Sequence, residues 1–93
     1  MKIHVKFHSR FREIFNCDEK CVEMADGANV RDLLALLCST EKQRNTIYAE
    51  VGKKLKPDVM ITKNRMIIFH MKRLETQLSH NDEVAVIYPA CMG

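Results

Sequence analysis

A chain of 93 residues, 46 % hydrophobic and 29 % charged, has room for one domain and excludes a cofactor cleft between two. Three glycines and two prolines are too few for a disordered or linker-rich chain, and no stretch approaches the ~20 apolar residues of a membrane span. A formal net charge of +3 hides an uneven spread: residues 1–52 balance, residues 53–73 carry +6, and residues 74–93 carry −3.

The elements follow in order. Ile3, Val5 and Phe7 alternate with Lys2, His4, Lys6 and His8, the period of a strand with one wet face. Phe11, Ile14 and Phe15 are spaced for a helical turn, and Asn16-Cys17-Asp18 reads as a turn. Cys21, Val22 and Met24 predict a second strand, antiparallel to the first, ended by Asp26-Gly27. Val30, Leu33, Leu34, Leu37 and Cys38 form one helical stripe. Asn29 is its N-cap, and Asp32 lies close to the positive helix end. Residues 40–51 predict a looser second helix through Ile47, Tyr48 and Val51, ended by Gly52, with a loop over 53–57. Residues 59–62 and 66–69 are apolar runs of strand length, and residues 74–82 form a connector anchored by Leu74 and Leu78. The last strand, Val84 to Tyr88, is apolar on both faces and belongs in the middle of a sheet. Segregated strands with one strong helix argue an α+β fold.

The N-terminus lacks the continuous apolar core of a signal peptide, so a cytoplasmic location and reduced cysteines are expected. The basic middle has no interleaved aromatic stacking motif and reads as a solvated face, so no nucleic-acid partner is expected. His4 and His8 on one strand lie ~13 Å apart, too far to share a metal. Cys17 and Cys21 lack a matched second pair, Cys38 lies on the apolar stripe, and Cys91 is in the tail, so no metal site is expected. Asp82 and Glu83 are adjacent and point opposite ways on an extended chain, which excludes a carboxylate pair. No Gly-rich phosphate loop and no Ser/His/Asp order stands out.

What remains is the C-terminus. Pro89 stops the final strand, and the five residues from Pro89 to Gly93 can extend about 16 Å beyond the body. The chain thus divides into a body of residues 1–88 and a flexible tail of residues 89–93. Gly93 has no side chain to crowd its carboxylate, so a partner's active site can enclose it in a narrow channel.

The segment from Leu74 to Gly93 resembles the end of the MoaD/ThiS sulfur-carrier family: a Leu-x-Thr-x-Leu connector, an Asp-Glu-Val strand start, a proline after the strand and a terminal glycine. Val5-Lys6-Phe7, Arg12-Glu13-Ile14-Phe15 and Val30-Arg31-Asp32-Leu33-Leu34 resemble MoaD's first strand, following turn and helix, and Leu55-Lys56-Pro57, Val59 and Asn64 match its approach to the middle strands. The resemblance implies a ubiquitin-like β-grasp fold, a mixed sheet wrapped on one main helix. It also implies that an E1-like enzyme of the MoeB/ThiF type adenylates Gly93 with ATP. Sulfur then replaces the adenylate, and the thiocarboxylate delivers it to a pterin precursor of molybdopterin inside a larger, MoaE-type subunit. The carrier is then a substrate and the small subunit of the synthase, with no bound cofactor of its own. Related archaeal proteins are joined to lysines as protein modifiers.

One departure stands out. The family ends Gly-Gly, and here the penultimate residue is Met92, which brings a Cβ and a flexible thioether to a channel shaped for bare backbone. The alternatives are therefore a modifier conjugated through Gly93 and a non-covalent binding module with a decayed tail. Partner docking is expected on the outer sheet face beside the tail. His8, Ile87, Tyr88, Pro89, Ala90, Cys91 and Met92 are its expected contacts, with Val84 and Val86 turned to the core and Ala85 and Ile87 outward.

Overall fold

The alternating N-terminal sequence forms strand β1, Lys2–Phe7, with Ile3, Val5 and Phe7 buried and His4 exposed. The computed structural model describes residues 1–50, 54–68 and 71–88, with the side chains of 49, 50 and 54 aside. After β1 the chain makes a short helix, α1, Phe11–Phe15, which Asn16 closes in the left-handed conformation at φ 59°. Asparagine tolerates that conformation better than most residues, which is why the chain can reverse here without a glycine. Strand β2, Glu19–Glu23, then pairs antiparallel with β1, and Lys6 faces Glu19 while Lys2 faces Glu23.

Helix α2, Val30–Leu37, starts where the apolar stripe starts. Asn29 and Asp32 form a reciprocal capping box: each side chain accepts from the other's backbone N–H, at 2.9 and 3.0 Å. Val30, Leu33, Leu34 and Leu37 are buried against the sheet's inner residues in one core cluster. Cys38 caps the helix end and is buried in the same cluster.

The segment after Cys38 differs from the sequence expectation. Helix α3 is shorter, Glu41–Ile47, and Tyr48–Glu50 is strand β3 rather than helix. It pairs antiparallel with β4, Lys54–Leu55, inside the stretch read as a loop. Val51 and Gly52, to which the helix was expected to run, lie outside the described residues. The reason is tertiary. Ile47 and Tyr48 are both buried, and adjacent buried residues suit a helix-to-strand junction as well as a continuing helix. Gln43 fixes α3 in place: its Oε1 accepts from the Ser39 and Thr40 amides at 2.8 and 3.2 Å, and its Nε2 donates to the Ile14 carbonyl of α1 at 3.1 Å.

Strands β5, Met60–Lys63, and β6, Met66–Ile67, form a hairpin across Asn64 and Arg65, both at positive φ (50° and 72°). Two consecutive left-handed residues make the turn whose twist matches the flanking strands. A 3-10 turn, Arg73–Glu75, leads into the connector, where Leu74 and Leu78 are buried as anchors. The connector bonds to the start of α2, with the Val30 amide on the Thr76 carbonyl and the Leu78 amide on the Ala28 carbonyl. The last strand is β7, Glu83–Ile87.

The sheet order is β2-β1-β7-β5-β6, with β1 and β7 parallel and the remaining pairs antiparallel. The apolar final strand therefore takes the central place that its two apolar faces require. No helix among the described residues is long and apolar enough to cross a membrane.

Candidate functional site

The register of the three middle strands defines the face away from α2. Val84 and Val86 of β7 are fully buried inward, so Ala85 and Ile87 face outward. Ile87 faces Met60 of β5 and Ala85 faces Thr62, while Lys6 of β1 lies beside Ala85. His8 continues that row, its amide donating to the Val86 carbonyl at 3.1 Å. The result is an outer patch of half-buried Ile87, Met60 and Ile67 with exposed His8 at one side. Ala85 and Thr62 are only 6 and 7 % exposed despite facing outward, because each lies on a strand flanked on both sides. Ile87, expected to face outward, does so and is half-buried.

Both ends of β7 are fixed. At its start, Asp82 is 8 % exposed and accepts from Asn64 Nδ2 at 2.9 Å and from the Ser79 amide at 2.7 Å, with Lys63 Nζ at 3.6 Å. Burial alone pushes this carboxyl up. The Asn64 and Ser79 hydrogen bonds and the Lys63 charge outweigh burial and hold it below its ordinary 3.8. Asn64 returns the contact: its Oδ1 accepts from the Glu83 amide at 2.9 Å. At the other end is Tyr88, half-buried, with the Arg10 guanidinium 4.4 Å from its ring centroid. Arg10 Nη2 donates to Asp58 Oδ2 at 2.7 Å, and the same guanidinium lies 5.6 Å from the Phe11 ring. Arg10 and Asp58 are 48 residues apart, and no local pattern singled them out. The available signal was only a cation beside an aromatic-rich segment, Arg10 next to Phe11 and Phe15.

The other sequence-selected groups do not converge on this end. Cys21 is exposed on the edge strand β2 opposite His4, and Cys17 is half-buried near α1. Burial raises the Cys38 thiol to about 11, against the opposing charge of Arg44, so it stays protonated and unreactive. Among the described residues no three His, Cys, Asp or Glu side chains are grouped to hold a metal. The expected contacts Pro89, Ala90, Cys91 and Met92, and the expected reacting residue Gly93, lie outside the described residues.

A mixed sheet packed on one main helix, with its first and last strands side by side and parallel, defines the β-grasp of ubiquitin-like proteins. The ThiS family model matches residues 5–91, and the chain belongs to that family of ubiquitin-like sulfur carriers and modifiers. The chain is similar to a protein of Pyrococcus furiosus assigned as molybdopterin converting factor, subunit 1. The two share 28 % identity at a TM-score of 0.75, over 95 % of this chain and 97 % of that one. It shares its fold with SAMP1 of Haloferax volcanii (TM-score 0.80, 19 % identity, 96 % of each chain). It also shares its fold with a chain of the BexX/CysO complex of Amycolatopsis orientalis (TM-score 0.73, 18 % identity, 92 % of this chain and 93 % of that one). No curated protein sequence matches it.

Proposed function

We propose that this chain is a MoaD-like sulfur carrier whose Gly93 carboxylate is the working group. The observation that carries the reading is the family match across residues 5–91, joined to a final strand held in the centre of the sheet and fixed at both ends. Such a strand presents the following residues from a rigid support, as a substrate arm requires. The Gly93 carboxylate attacks the α-phosphate of ATP in an E1-like partner, giving the acyl-adenylate and releasing pyrophosphate. Hydrosulfide then attacks the acyl carbon, and as the C–S bond forms the C–O bond to AMP breaks, leaving the thiocarboxylate and free AMP. That group donates its sulfur in molybdopterin assembly, inside a large subunit that supplies the remaining catalytic groups. The assignment of the Pyrococcus furiosus relative to molybdopterin conversion supports this acceptor over others.

The partner surface in this reading is the outer patch. Ile87, Met60 and Ile67 give a small apolar centre, His8 and Tyr88 flank it, and the residues from Pro89 to Met92 lead Gly93 into the partner. A family of both sulfur carriers and modifiers leaves one second reading, conjugation of Gly93 to protein lysines. Both readings need the acyl-adenylate and differ in the nucleophile that follows.

Intact mass spectrometry after incubation with the organism's E1-like enzyme, ATP and a sulfur donor tests the proposal. The expected result is a shift equal to exchange of one oxygen for sulfur, absent when Gly93 is deleted. Adducts on lysines of added protein without the sulfur shift would favour the modifier. An unchanged mass, with the enzyme active on a Gly-Gly-ended relative, would leave a non-covalent binding module.

A further inference from the structure

We infer that Arg10 is a positioning residue that clamps the root of the C-terminal arm. The inference rests on the reading of Gly93 as the reacting group. Three observations meet at Tyr88. The Arg10 guanidinium lies over its ring at 4.4 Å, within the range of a cation–π contact. The guanidinium donates to Asp58 Oδ2 at 2.7 Å in an exposed ion pair, and this bond biases it toward the position over the ring. Asp58 Oδ1 is buried and has no hydrogen-bond partner among the described residues, so Oδ2 carries the side-chain bond this carboxylate makes there. Asp58 itself sits in the turn before β5, where the Val59 amide bonds to the Lys56 carbonyl at 3.0 Å. The clamp therefore joins the segment after β1, the turn before β5 and the end of β7.

The next residue in the chain explains why a fixed Tyr88 matters. Pro89 has a ring that locks its own φ and restricts the conformation of the residue before it. Tyr88 is thus restricted twice, by the Arg10 contact on its ring and by the limit a following proline sets on its backbone. A Tyr88 free to reorient would scatter the remaining residues over a wide cone, and each encounter with a partner would have to order them again. Planarity decides which cation can serve. The planar, multi-donor guanidinium of arginine can lie over the ring while it bonds the carboxylate, whereas a lysine ammonium is a compact point charge less suited to holding both at once.

The test compares Arg10→Ala, Arg10→Lys and Asp58→Asn with a distant charge control, Lys42→Ala, on the exposed side of α3. Two readouts are taken: NMR relaxation of the Tyr88, Ala90 and Gly93 amides in the free protein, and steady-state adenylation by the E1-like partner. Arg10→Ala is expected to loosen Tyr88 and Ala90. It should also raise KM for the carrier by about five- to tenfold, the scale of ordering one or two extra residues, with kcat nearly unchanged. Arg10→Lys and Asp58→Asn should fall between Arg10→Ala and the parent, and Lys42→Ala should match the parent. Unchanged relaxation or an unchanged KM in Arg10→Ala overturns the inference. If the parent protein is not adenylated at all, the carrier reading fails, and relaxation alone decides whether the clamp exists.

Discussion

Asp82 shows how one side chain can set the behaviour of a strand. Its carboxylate gathers the Ser79 amide, the Asn64 side chain and the Lys63 charge at the entrance of β7. Its acidity is raised relative to an unfolded chain, so the folded state binds its proton less tightly than the unfolded state does. The stabilisation is therefore complete above the ordinary value of 3.8 and is lost as pH falls through the lower folded value. Asp82→Asn should lower the midpoint of urea unfolding at pH 7, and the gap to the parent should close under acid. A gap independent of pH would mean that shape rather than charge matters at this position. Thr76 is the opposite case. Its hydroxyl is buried without a hydrogen-bond partner among the described residues, while its carbonyl serves the Val30 amide. Thr76→Val keeps the side-chain shape and removes the orphaned hydroxyl, so it should leave stability unchanged or raise it by roughly 1 kcal/mol. Calorimetry reads the sign. Neither effect was visible beforehand: the sequence placed Asp82 at a strand start, but its partners come from 18 residues away and from a turn.

At the scale of elements, α2 is the piece most fully written in its own sequence. The apolar stripe, the Asn29 cap and the acidic third residue are all local, and the structure uses all three. Asn29→Ala removes half of a reciprocal cap and should cost about 1 kcal/mol, read as a lower midpoint in thermal melts followed by circular dichroism. A loss near zero would show that packing of Val30, Leu33, Leu34 and Leu37 suffices alone. The expected helix is present over Glu41–Ile47, but Tyr48–Glu50 and Lys54–Leu55 depart from expectation because their information is not local. Thr40 and Gln43 form a capping box that starts α3, and nothing in the composition of Ile47 and Tyr48 marks the switch to strand. Lys54–Leu55 is too short to show a period of two. Only pairing with β3 makes it a strand, and that pairing is a tertiary fact.

Across the whole molecule, the sheet acts as a mount. β7 lies between β1 and β5, so its outgoing end is gripped on both sides. The chemistry proposed for Gly93 then depends on what the partner meets after Tyr88. Met92→Gly restores the Gly-Gly ending of the family and should speed adenylation by an E1-like enzyme that prefers that ending. An unchanged kcat/KM would show that the channel accepts a methionine and that Met92 is no handicap. The sequence alone determined the α+β class, the central place of the last strand and the capped helix. It also marked Gly93 as the candidate working group. Those features are carried by periodicity, caps and a short terminal motif, which are properties of neighbours along the chain. The tertiary structure alone decided the β3–β4 pair, the Asp82 and Asn64 anchor and the Arg10–Asp58 clamp on Tyr88. Each joins residues far apart in sequence, and distance along the chain carries no record of which side chains will meet once the core of Ile3, Val5, Leu33, Leu34, Val84 and Val86 closes.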